Sequence, residues 1–192
     1  MLNESPMKLN STNFSFDDPI YNRNKLQEYS QNIQTIILEN SDYRIFQTGT
    51  RNNGRIILEN KINKTIEYIL EFVVTSTFWL DTAVTQTLVW RSKSSKIDQI
   101  AKLVFWDILF DQYPAILSDG MQTVAGNMFW MYRLEEAVDK NFPVAIVDEL
   151  RNQLIWYKPT DGDVFLWIDR SNTYNYSSDS LYLKYLISKK EY

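Results

Sequence analysis

TQTLVWRSKSSKIDQIAKLVFWDILFDQYPAILSDGMQTVAGNMFWMYRLEEAVDKNFPVAIVD, residues Thr85 to Asp148, decides the reading of this chain. TQTLVWRS is predicted as a strand, SKIDQIAKLVFWDILFDQY as a helix and AILSD as a second strand. TVAGNMFWMYRLEEAVDKN follows as a second helix and PVAIVD as a third strand. Such a short β-α-β-α-β alternation implies a parallel sheet with helices packed on it. Ile97, Ile100, Ala101, Val104, Ile108 and Leu109 recur at helical spacing in the first helix, and Phe105, Trp106 and Phe110 widen the stripe. In the second helix the stripe is Trp130, Leu134, Ala137 and Val138, with Arg133, Glu136 and Lys140 on another face.

Upstream, Asp17, Asp18 and Pro19 read as a helix start after an N-terminal arm of residues 1–18. IYNRNKLQEYSQNIQTIILEN is then a helix running into a strand near Ile36 to Leu38. YRIFQTG, GRIILENK and KTIEYILEFVVTSTFW are strands, and RNNGR between the first two is a turn. In the long third strand, Tyr68, Leu70, Phe72 and Val74 form one apolar face. The other face starts polar, with Glu67 and Glu71, and becomes apolar. Downstream, RNQLIWYKP is a strand, TDGD a turn, VFLWID another strand, SNTYNYSSDS a loop and LYLKYLISKK a final helix or strand. The fold class is α/β (α+β), with antiparallel N-terminal strands leading into the alternation, and residues 19–192 are expected to form one domain.

Composition excludes much chemistry. The chain has 192 residues, 24 acidic against 20 basic, no His and no Cys. Disulfides, thiolate nucleophiles, His triads and His or Cys metal sites are therefore unavailable. Proton transfer falls to Asp, Glu, Tyr, Lys or water. The net charge of −4 argues against general nucleic-acid binding. No apolar run reaches the roughly 18 residues needed for a membrane span. The polar N-terminal residues carry no signal-peptide core, so a cytoplasmic protein is expected.

Taken together, three antiparallel strands, a helix, a strand, a helix and further strands resemble the GNAT superfamily of N-acetyltransferases, over roughly residues 55 to 158. The resemblance implies a GNAT-like mixed sheet in which a parallel strand pair splays. It also implies an acyl-CoA-dependent N-acyltransferase that uses acetyl-CoA or another acyl-CoA and an amine acceptor. The family's pyrophosphate loop corresponds to Arg91-Ser92-Lys93-Ser94-Ser95-Lys96 after Trp90. Amides at a helix N-terminus are the physical basis of such a site. DKNFPVAIVD resembles the family's helix end, with Asn141 where Gly is usual. The loop lacks the family's glycines, and Ala137 stands where a Tyr general acid is frequent. Trp90-Arg91, Ser118-Asp119, Gln122-Thr123 and Phe129-Trp130 also resemble elements of phage-encoded acyltransferase-like proteins, for which the compartment would be the host cytoplasm.

The residues carry bland readings beside the chemical ones. Ser95-x-x-Asp98 is a capping-box-like pattern that explains the basic turn without a ligand. Asp119 follows a strand end, where ligands of open α/β sheets gather, and is a candidate base; Ser-Asp-Gly is equally a turn. Tyr132 is a candidate general acid and Glu71 a candidate base acting through water, and both fit an ordinary polar surface. Trp90, Trp106, Phe129, Trp130 and Tyr132 suit an acyl pocket or simply a core. Asp161 and Asp163 around Gly162 make a turn with too few ligands for calcium. The alternative function is a catalytically inactive scaffold of the same fold, a phage accessory or anti-defence factor. It would bind a host protein through Phe78, Trp79, Tyr174 and Tyr176. A homodimer is left open.

Overall fold

The computed structural model describes residues 16–77, 80, 82–92, 100–119, 124–173 and 183–191. Among these residues the class is mixed α/β with nine strands, mostly antiparallel. The chain gathers into two units, residues 1–73 with 86–105, and residues 74–85 with 106–192. Strands β4 (Thr65–Thr75) and β5 (Ala83–Arg91) contribute residues to both.

In the first unit, β1 (Ile33–Glu39), β2 (Tyr43–Gly49), β3 (Asn53–Asn60) and β4 form an antiparallel meander, with β5 next in order. Gly54 is required here because a Cβ would meet Phe72 Cζ at 2.6 Å. Edge strand β1 carries two register shifts against β2, which bend it away from flat edge-to-edge pairing. Helix α1 (Pro19–Ser30) starts where expected. Asp18 Oδ1 accepts from the amides of Ile20 (2.8 Å) and Tyr21 (3.3 Å), with Pro19 in the first turn. Leu26 and Tyr29 of α1 pack with Phe16, Phe46, Ile57, Ile69, Leu88 and Trp90.

Asn22 locks that helix. Its side-chain amide donates to Ile66 O (2.9 Å) and Phe16 O (3.1 Å), and its carbonyl oxygen accepts from Ile66 N (2.6 Å). A buried amide with all these groups matched satisfies the start of β4 where its backbone meets the helix.

In the second unit the order is β6 (Ala115–Leu117), β9 (Leu183–Ser188), β7 (Val144–Asp148), β8 (Gln153–Trp156). β6 pairs in parallel with the start of β5 through Val84–Ile116 and Thr85–Leu117. β9 runs antiparallel to both β6 and β7. The alternation Thr85–Asp148 therefore yields codirectional strands, but the expectation of a parallel sheet is corrected. β7 does not pair with β6, because a strand from much later in the chain lies between them. Ala83, Ala115, Leu117, Ala145, Val147 and Leu186 build the core at these strands.

The first predicted helix is seen as α2 (Ile100–Leu103) continuing into a π-helical stretch, Val104–Phe110. Six of those seven residues are buried and only Asp107 is exposed. That apolar arc is wider than a 3.6-residue repeat would bury, and the wider π turn accommodates it. α3 (Val124–Asp139) ends with Asn141 at φ 59°, while Phe142 N donates to Ala137 O (2.8 Å) and Asn141 N to Val138 O (2.9 Å). This is a Schellman cap in which Asn takes the left-handed position usually given to Gly.

VFLWID, read as a strand, is instead the start of helix α4 (Val164–Thr173). Asp163 Oδ1 accepts from Phe165 N (2.8 Å) and Leu166 N (3.1 Å), an N-cap. Val164, Trp167 and Ile168 are buried at i, i+3 and i+4. The short apolar run concealed a helical period. LYLKYLISKK resolves to a strand over Leu183–Ser188, and Leu186 and Ile187 are fully buried. No described helix is long and apolar enough to cross a membrane.

Asn22→Ala is expected to destabilise the protein by about 3 kcal/mol, since it leaves buried Ile66 N–H and C=O groups unpaired. Urea unfolding measures this. A loss under about 1 kcal/mol would mean that water replaces the amide.

Candidate functional site

The best-defined constellation of polar groups at a strand end lies where β6 stops. Along β6 and β9 the ladder pairs Ala115 with Ser188, Ile116 with Ile187 and Leu117 with Leu186. At the next step the pattern changes. Ser118 N still donates to Tyr185 O (2.8 Å), but Tyr185 N donates to Ser118 Oγ (2.8 Å). The hydroxyl takes the acceptor role that a carbonyl would fill in a regular ladder. It also donates to Asp119 O at 3.0 Å. Ser118 is fully buried, and its amide and hydroxyl are both engaged away from water. The backbone is thereby released from the sheet, and the next residue, Asp119, stands at the carboxyl end of β6.

Asp119 is half-buried. Desolvation pushes its carboxyl up to about 6, and the charge of Lys184 works in the opposite direction. Lys184 Nζ also donates to Glu149 at 2.6 Å, so its charge is shared between two carboxylates. On the other side of β9, Tyr185 donates its hydroxyl to Asn127 Oδ1 (3.0 Å), and its ring lies 6.5 Å from that of Trp130. Asn127 and Trp130 come from α3. Asp119, Lys184 and the Tyr185–Asn127 pair thus come from the end of β6, from β9 and from α3 of one unit. Chemically this is a carboxyl that changes protonation just below neutral pH, with a cation held near it. Such a group can bind an ammonium or take a proton from one.

The other candidates fall elsewhere. Tyr132 lies on α3 but is 54% exposed. It is two residues from buried Trp130, roughly 200° around the helix, and so faces away from the Trp130 side. Glu71 belongs to the first unit, where Arg55 Nε donates to it at 2.6 Å and the Arg55 guanidinium lies 5.1 Å from the Tyr29 ring. That carboxylate is held as half of an ion pair. Trp90 is a core residue, 5.2 Å from the Phe16 ring. Arg91 is exposed at the end of β5, while the Ser92 amide donates to Glu67 O (2.9 Å) and is not turned toward a ligand. Lys93, Ser94, Ser95 and Lys96 lie outside the described residues, as do Phe78, Trp79, Gln122, Thr123, Tyr174 and Tyr176.

Trp106 and Trp130 are buried. Trp106 Nε1 donates to Glu136 Oε2 (2.7 Å), Lys140 sits 4.3 Å from its ring, and it stacks on Phe142 at 5.9 Å. These aromatics are structural. Phe129 is partly buried, with the Arg133 guanidinium 5.2 Å from its ring. Among the described residues no group of three or more acidic side chains is placed to hold a metal ion. Asn127, Lys184 and Tyr185 had no signal in the sequence. Two of them sit on a strand 64 or more residues beyond Asp119, and only the strand order brings them to it. No protein-family model and no curated protein matches the chain.

A carboxyl with a folded pKa above its unfolded value binds more protons folded than unfolded between 3.8 and about 6. Stability then falls as pH rises through that window and stays lower above it. Asp119→Asn is expected to stabilise the protein by about 1–2 kcal/mol at neutral pH, discounted for solvent screening, and to give no gain near pH 4. Lys184→Met should raise the Asp119 pKa further, read by carbon-13 NMR of the carboxyl. A gain from Asp119→Asn that is equal at both pH values would show that the carboxylate is fully hydrated.

Proposed function

We propose that the protein transfers an acyl group from an acyl-CoA directly to an amine, with Asp119 as the base. The observation that supports this most is a desolvated Asp carboxyl at the end of a strand that pairs in parallel, the position where open α/β sheets gather their ligands. With its pKa near 6, Asp119 is ionised at neutral pH yet basic enough to accept a proton. The amine arrives as an ammonium, pairs with the carboxylate and gives up a proton to it. Its nitrogen then attacks the thioester carbonyl. The N–C bond forms, the C–S bond breaks, and the electron pair leaves on the thiol sulfur, which takes the second proton released by the attacking nitrogen. This route needs no enzyme nucleophile, so the absence of Cys and His is no obstacle. The order of elements from β3 to β8 is the feature that resembles the GNAT superfamily, and the donor is inferred from it.

A second reading is favoured by one observation. The Ser92 amide is already bonded to Glu67 O, and no glycine opens the turn. A scaffold of this fold that has lost its donor site and binds a host protein would look the same there.

Calorimetry with acetyl-CoA, paired with a thiol-release assay over a panel of amines, separates the readings. Transfer should rise with pH through about 6, and Asp119→Asn should lower kcat by about 10²–10⁴-fold with acetyl-CoA affinity unchanged. Neither heat nor thiol release at millimolar donor would end the transferase reading and leave the scaffold.

A further inference from the structure

A cleft of about 510 Å³ opens in the first unit, among α1, the β1–β2 end of the meander and the β3–β4 turn. It is lined by four cations, Arg23, Arg44, Lys61 and Lys64, and by two carboxylates, Glu39 and Glu59. Each carboxylate is already taken. Glu59 Oε2 accepts from Arg44 Nε (2.8 Å) and lies 2.6 Å from Arg44 Nη2. Glu39 accepts from Lys61 Nζ at 2.8 Å, which holds its carboxyl below the usual carboxylate range. Among the described residues Arg23 and Lys64 have no ion-pair or hydrogen-bond partner. Two uncompensated positive charges therefore face one cleft, in a chain whose net charge is −4.

The backbone that carries Lys61 and Lys64 is fixed in advance. Asn60 Oδ1 accepts from the amides of Ile62 (3.1 Å) and Asn63 (3.0 Å), and Asn60 Nδ2 donates to Glu67 (2.7 Å). Lys61 N donates to Asp42 O at 2.8 Å. Lys64 closes the turn at φ 52°, a left-handed conformation in which a Lys is uncommon. Arg23 comes from the exposed side of α1, whose other side is clamped by Asn22.

We propose that this cleft binds a small phosphorylated molecule. A phosphate ester carries close to two negative charges, matching the two uncompensated cations, and Arg with Lys supplies a planar fork and a point charge for its oxygens. The volume lies within the range of small-molecule sites and exceeds what a bare phosphate fills, leaving room for an organic part. The site uses none of the residues assigned to acyl transfer and does not depend on that reading.

Calorimetry on the full chain at low salt tests it with inorganic pyrophosphate, glucose 6-phosphate, ADP and a single-stranded RNA as separate probes. Arg23→Ala and Lys64→Asn are the variants, since Asn accepts the left-handed turn. Lys25→Ala, on the same helix but outside the cleft, is the control. Saturable binding of an organic phosphate is expected, weakened about tenfold by either cleft variant and unchanged by the control. Tm without ligand should stay level or rise in both variants. Binding of pyrophosphate alone would overturn the organic part of the assignment. Equal weakening by Lys25→Ala, or no saturable binding of any probe at ~10 mM, would overturn the site. So would binding confined to single-stranded RNA, a polyanion effect.

Discussion

The second unit depends on a substitution of one acceptor for another. At Ser118 a side-chain hydroxyl receives the Tyr185 amide in place of a main-chain carbonyl. A strand that ended without such a replacement would leave a buried N–H on β9 unpaired, at about 1–3 kcal/mol. With it, β6 can stop after three residues and turn a carboxylate out of the sheet while the neighbouring strand continues. The electrostatics of Asp119 follow from the same event. The carboxylate sits close enough to the core to lose water, and the nearest cation given by β9, Lys184, divides its attention with Glu149. A carboxylate with one committed cation would be driven well below its usual range; this one is not.

The first unit is organised differently. Its meander has local connections and a helix tied down by a single buried amide. Its polar groups are spent on holding turns rather than on a strand end: Asn60 spans the β3–β4 turn, and Asp18 caps α1. The two units therefore offer two chemically distinct surfaces, one centred on a single titrating acid and one on fixed cations.

Legibility in the sequence followed the range of the forces. YRIFQTG was readable as β2 and PVAIVD as β7 because a short apolar or alternating run between turn residues is a local property. Asp18-Pro19 announced α1 for the same reason. VFLWID misled because five apolar residues in six satisfy both periods, and the deciding feature was the Asp163 cap just before them. The π turn over Val104–Phe110 was hidden because an unusually wide apolar stripe reads as a well-buried α-helix. Of the candidate site, Asp119 could be picked out from its position after AILS. Lys184, Tyr185 and Asn127 could not, since no local rule places β9 next to β6. Tyr132 and Trp90 were attractive as residue types, and their burial is set by helix phase and by the Phe16 contact, neither of which the composition conveys.

The position of β9 has a temporal consequence. It is made later than every other described strand, yet it fills the gap between two strands made some 40 to 70 residues earlier. Until Leu183–Ser188 emerges, the β6 and β7 edges that it will cover have no mate, and both are apolar. Closing such distant contacts is slow, and open edges invite other nascent chains. The second unit is thus most exposed to aggregation just before Leu183–Ser188 is made, while it still lacks the strand that seals it.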